Sequence, residues 1–113
     1  MNANATRLNQ LVRSAEGAFA DSSYEEAISH YLVAADLAEE IGSPTRARSL
    51  RREARRLRAH VWALEHVPDF SWVGAGTDGS RTREIRTFHI RAPTRVVTVT
   101  VDNRGRVRPV RRS

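Results

Sequence analysis

The chain has 113 residues, no cysteine and a formal net charge of +6, and all 19 of its basic residues are arginine. That length supports one compact domain, or a helical bundle with a dependent appendage. The lack of cysteine excludes disulfides, thiolate nucleophiles and cysteine-ligated metal sites.

Neither a targeting segment nor a membrane span is expected. Residues 1–10 lack the apolar run of a secretory signal, and no window approaches the roughly 20 apolar residues that cross a bilayer. We therefore expect a cytoplasmic protein without membrane contact. The exclusive use of arginine is typical of GC-rich genomes and favours a bacterial or phage source.

Charge is distributed unevenly along the chain. Residues 1–45 carry two arginines against seven acids, a balance of −5. Residues 46–66 carry seven arginines against two acids, and residues 67–113 carry ten against four. The chain is therefore acidic first and basic afterwards, which indicates a basic surface for an acidic partner.

Two amphipathic helices are predicted first. Apolar residues recur at spacings of three and four over residues 5–20, the period of one buried helical face. Ser23 and Glu26 then have the spacing of a capping box, which predicts that a second helix starts there. This helix is predicted over residues 24–41.

A third helix follows a clear stop and start signal. Gly42 is typical of a helix end, and Ser43 with Pro44 is typical of a helix start. We predict a helix over residues 45–66, and Pro68 ends it. A narrow seam at spacings of three and four predicts its buried side: Ala47, Leu50, Ala54, Leu57, Val61 and Leu64.

The remainder of the chain has the residue pattern of β-strands. β-patterned runs at residues 84–91, 95–101 and 106–110, separated by turn residues, predict an antiparallel meander. It is too small to fold alone, so it should dock on the bundle or on a partner through Phe70, Trp72, Phe88 and Ile90. The predicted fold class is α+β, with a three-helix bundle at residues 1–67, a linker at 68–82 and a basic three-stranded meander at 83–113.

The segment from Ser23 to Ala34 resembles the second helix of a tetratricopeptide (TPR) repeat. The small, aromatic and small residues of that helix fall at Ala27, Tyr31 and Ala34, and the small residue of the preceding helix falls at Ala15. Leu11, Ala18 and Glu39 depart from the repeat pattern. With the third helix, residues 5–66 also look like a microtubule-interacting-and-transport domain.

The resemblance implies a helical platform that binds partner peptides between helices. On this hypothesis the groove residues are Tyr31, Leu57 and Trp62. The structural alternative is that these side chains simply fill the core or fix the sheet to the bundle.

No pattern of catalytic, metal-binding or cofactor-binding residues stands out. The glycines of residues 74–79 match a G-x-G-x-x-G spacing but lack the strand before and helix after that a dinucleotide site needs. His60 and His66 are six residues apart and so point to different faces of their helix. We expect neither enzymatic activity nor a cofactor.

The arginines leave two interpretations open. Those of the third helix can pair with the acidic second helix. Those near the C-terminus have few acids nearby and should attract phosphate or an acidic partner. The candidate contacts are Arg91, Arg95, Arg104, Arg106, Arg108, Arg111 and Arg112.

Three functions are therefore compatible with the sequence. The first is a non-catalytic protein-interaction module, which could associate with itself. The second is a nucleic-acid-associated accessory or regulatory protein that uses the arginine-rich C-terminal region. The third is a structural component of a phage particle or another assembly.

Overall fold

A computed structural model describes residues 3–76 and 85–110. Three helices precede a four-stranded antiparallel sheet, which confirms the predicted α+β class. The chain separates into two compact units, Met1–Ala54 and Arg55–Ser113. The elements are α1 (Ala3–Ala20), α2 (Tyr24–Glu40), α3 (Pro44–His66), β1 (Trp72–Ala75), β2 (Ile85–Arg91), β3 (Val96–Asp102) and β4 (Val107–Pro109).

The first unit contains α1, α2 and the first part of α3, packed through small side chains. Ala15, Ala27 and Ala34 are completely buried, and Tyr31 is buried beside them on α2. Alanine lets neighbouring helix backbones approach closely, and these residues lie on the buried faces of α1 and α2. The TPR-like and transport-domain-like identities remain resemblances.

The two helix connections of this unit have the same hydrogen bonds. In the first, the Ser23 N–H donates to the Ala18 carbonyl; in the second, the Ser43 N–H donates to the Ala38 carbonyl, both at 2.8 Å. These are Schellman turns, which need a residue with positive φ just beyond the helix. Gly42 provides it at φ 80°, whereas the first turn places Ser22 at φ 62°.

The predicted capping box at the start of α2 does not form. Ser23 is the N-cap residue, but its φ of −89° and ψ of 68° leave its side chain without a capping hydrogen bond. Extended backbone would aim the hydroxyl at the free N–H groups, and this residue is not extended. Glu26 lies instead 3.6 Å from His30, one turn further along α2.

Replacing Ser22 by glycine should stabilise the first unit. Glycine adopts positive φ without the steric cost of a Cβ atom, so we expect the free energy of unfolding to rise by about 0.5–1 kcal/mol. Urea denaturation followed by circular dichroism measures it. The control Ser23→Gly, at negative φ, should leave stability unchanged or slightly lower; an equal gain in both variants would contradict the assignment.

The second unit contains the rest of α3 and the sheet, whose strands pair in sequence order. Opposite residues in β2 and β3 include Phe88 with Val99 and Ile90 with Val97. Phe88, Ile90 and Val99 are at most 1 % exposed, and they belong to one core cluster with Ala59 and Ala63 of α3. One face of the sheet therefore packs on the C-terminal part of α3.

The buried side of α3 differs from the predicted seam at its C-terminal end. Leu64 is 43 % exposed, whereas Ala59, Ala63 and Val67 are buried. The heptad pattern assumed a helical partner along the whole of α3, but here the partner is a sheet. The sheet contributes the larger side chains Phe88, Ile90 and Val99 to this contact, so close packing leaves room only for small residues on the helix.

This arrangement predicts opposite effects for two neighbouring positions. Ala63→Leu should lower the free energy of unfolding by about 1–3 kcal/mol because it overpacks the contact between α3 and the sheet. Leu64→Ala should change it by no more than about 0.5 kcal/mol because the side chain is partly solvated. Thermal denaturation of both variants measures these changes in stability. A larger loss of stability for Leu64→Ala than for Ala63→Leu would contradict this packing and support the buried side predicted from the sequence.

The sheet also has one strand more than predicted. Residues 72–75, which fall in the predicted linker, form β1 and pair with β2 from Trp72–Arg91 to Ala75–Phe88. The glycine content of this segment concealed the strand pattern. Residues 77–82 of the predicted linker lie outside the described residues.

Candidate functional site

The predicted groove residues occupy interior positions. Tyr31 is 8 % exposed and Leu57 is fully buried. Trp62 packs against the core cluster of the second unit and stacks on His66 with ring centroids 4.3 Å apart. Tyr31 belongs to the first compact unit and the other two belong to the second. Their partner-binding role remains a prediction, and their burial favours the structural alternative.

The predicted phosphate contacts are mostly exposed around the sheet. Arg91 ends β2, Arg108 lies in β4, and Arg104 and Arg106 lie in the connection between β3 and β4. Arg95 is exposed but forms an ion pair of 3.3 Å with Asp69. Arg111 and Arg112 lie outside the described residues.

The side of the sheet opposite α3, which we call the outer face, is the most distinctive surface of the second unit. Successive residues of a strand point to opposite sides, so burial of Phe88 and Ile90 turns their neighbours outward. Strand pairing aligns these outward-facing residues in two rows across the sheet. The first row contains Trp72, Arg91 and Val96. The second row contains Gly74, His89, Thr98 and Val110.

Trp72 lies across the strand that carries it. A methyl group at position 74 would collide with its indole, so the ring covers the backbone of Gly74, which is buried. Trp72 nevertheless remains 47 % exposed. The guanidinium carbon of Arg91 lies 5.3 Å from the indole centroid, within the range of a cation–π contact.

Polar side chains continue the outer face beside this pair. The Nδ1 atom of His89 is 3.1 Å from Thr98 Oγ1, so a hydrogen bond joins β2 to β3. Val96 and Val110 are about half exposed, at 50 % and 49 %. Thr87, one row further, is buried, so the open part of the face lies around Trp72, Arg91 and His89.

Asp102 organises the turn that carries two of the arginines. Its carboxylate accepts hydrogen bonds of 2.9 Å from the backbone N–H groups of Arg104 and Arg106. The hydrogen bond from Arg106 is the main reason that the pKa of Asp102 is lowered. The carboxylate of Asp102 thus binds the backbone N–H groups of Arg104 and Arg106 in these two hydrogen bonds.

Charge follows the division into units. The sequence of the first unit has six arginines against eight acids, a balance of −2, and that of the second has 13 against five, a balance of +8. In the first unit Arg51 forms ion pairs with Glu39 at 2.9 Å and Asp36 at 3.0 Å. The Arg51 hydrogen bond lowers the pKa of Glu39. Pairing between α3 and the acidic α2 therefore occurs as predicted for Arg51.

In the part of the chain that the structure describes, no group of three or more histidine, aspartate or glutamate side chains is arranged to hold a metal ion. His60 packs edge-on against Phe70 with ring centroids 5.0 Å apart. Burial, followed by the positive charge of Arg56, lowers the pKa of His60.

Trp72 lies on the outer face and not in the contact between α3 and the sheet. It was expected, with Phe70, Phe88 and Ile90, to dock the sheet on the bundle or on a partner; its exposed position excludes the bundle for Trp72, and contact with a partner stays a prediction. The alternation Trp72, Val73, Gly74 carried the signal, since Val73 is buried on the opposite side. The glycine-rich context led to the interpretation as a linker.

Comparison with protein-family models, with curated proteins and with solved structures gives no match to this chain. Within residues 3–76 and 85–110, none of the helices has the length and apolarity required to cross a bilayer.

Gly74→Ala tests the position of the indole. The added methyl group should displace the Trp72 ring, so the Nε1–H resonance of Trp72 should shift while that of Trp62 stays in place. Two-dimensional NMR, assigned with Trp72→Phe, measures both. The control Gly17→Ala, whose methyl group would meet no atom within 4 Å, should move neither resonance. Unchanged spectra for both variants would contradict this geometry.

Proposed function

We propose that this protein is a non-catalytic binding module whose second unit holds nucleic acid. The observation that carries the proposal is the segregation of charge, with −2 in the first unit and +8 in the second. A surface with this excess attracts phosphates and releases their condensed counterions. Exposed arginines on and beside the outer face supply the contacts.

The hypothesis of a protein-binding groove becomes the second candidate. Tyr31 and Leu57 are buried, so a groove partner would have to displace core contacts. A different feature supports protein binding. Leu32 and Val33 are adjacent on α2 and are 44 % and 47 % exposed, and such a pair can serve as part of a contact with a protein or a second copy of the chain.

Salt dependence distinguishes these candidates. We expect labelled oligonucleotide to bind at low salt, with an affinity that falls linearly on a log–log plot as salt rises. The double variant Arg106→Gln/Arg108→Gln should reduce the slope by about 1.5, because two phosphate contacts are lost. Fluorescence anisotropy at several salt concentrations gives both quantities.

The matched control removes two exposed arginines from α1, as Arg7→Gln/Arg13→Gln. It changes net charge by the same amount in the acidic unit and should leave the slope unchanged. If both double variants weaken binding equally, net charge alone accounts for it. If the unaltered protein shows no salt-dependent binding, the nucleic-acid function is wrong and the exposed pair on α2 becomes the site to test.

A further inference from the structure

We infer that the outer face binds single-stranded nucleic acid by stacking a base against Trp72 and Arg91, an inference that rests on the proposed function. Charge alone attracts duplexes and single strands, because both carry phosphates. An exposed aromatic ring can stack on an unpaired base, whereas the paired bases of a duplex are already stacked on one another.

The geometry of the Trp72 side chain supports this role. The indole is held over Gly74, where any larger residue would displace it, and is still 47 % exposed. Contact with the Gly74 backbone and with Arg91 restricts the positions open to the ring before a ligand arrives, which lowers the entropic cost of binding. Bases stack on aromatic rings and on guanidinium groups, and the guanidinium carbon of Arg91 lies 5.3 Å from the indole centroid.

The neighbouring row can contact the rest of a nucleotide. His89 and Thr98 carry polar atoms that can reach sugar or base edges, and half-exposed Val96 and Val110 offer apolar surface beside them. Arg108 extends the positive charge along β4. Sheets that bind single strands stack bases on exposed aromatic rings and hold the backbone with positive charge, and Trp72 with the neighbouring arginines offers both.

The charge of the second unit favours nucleic acid over a second copy of the chain as the ligand of the outer face. Two copies packed through their outer faces would bring together two surfaces that each carry Arg91 and Arg108. With +8 on each unit, that contact would be repulsive, whereas a polyphosphate backbone neutralises it. The short edge strand β4, which ends at Pro109, also disfavours pairing between sheets.

The test compares single-stranded oligo(dT) and oligo(U) of about ten nucleotides with a duplex of the same length. Trp72→Ala should weaken single-strand binding roughly 5- to 150-fold, the equivalent of about 1–3 kcal/mol for one stacked base, and duplex binding by less than about twofold. Trp72→Phe should restore part of the loss. Leu64→Ala, which removes an exposed apolar side chain from α3, should have no effect.

Quenching supplies a readout that does not depend on stability. In a Trp62→Phe background, saturation with oligo(dT) should quench the fluorescence of Trp72. Equal binding by the unaltered protein and Trp72→Ala, or equal affinity for duplex and single strand, would overturn the inference and leave the electrostatic function intact. Self-association that Trp72→Ala abolishes would overturn it in favour of a protein contact. Absence of any nucleic-acid binding would overturn the proposed function itself.

Discussion

The packing of one sheet face on two alanines of α3 governs the second unit. Phe88, Ile90, Val99 and Val101 are too few to form a core by themselves, and α3 supplies the missing side through Ala59 and Ala63. Because strand residues alternate, this contact fixes the other face as well. Trp72, Arg91 and His89 are thereby directed outward, and the candidate site is a consequence of the core.

The two units differ in charge. In the acidic first unit, arginine is used internally, as Arg51 pairs with Glu39 and Asp36. In the second unit the acids are few, and Asp69 and Asp102 are already bound to Arg95 and to backbone N–H groups. Positive charge is therefore in excess around the sheet, which is the basis of the proposed affinity for phosphate.

Local sequence features determined most of the secondary structure. The period of apolar residues predicted the three helices, and the β-patterned runs between turn residues predicted β2, β3 and β4. Gly42 predicted the end of α2 because only glycine adopts positive φ without cost. The first turn has the same hydrogen bonds with Ser22 in that position, and a serine gives no comparable signal in the sequence.

The candidate site could be predicted only in part. The sequence by itself determined the arginine-rich C-terminal region, its lack of neutralising acids and the order of its strands. Tertiary structure decided that β1 pairs with β2, that Leu64 of α3 is exposed and that Trp72 lies beside Arg91. These facts depend on partners that are distant in the chain: Trp72 and Arg91 become neighbours only through strand pairing, and the buried side of a helix depends on whether a helix or a sheet covers it.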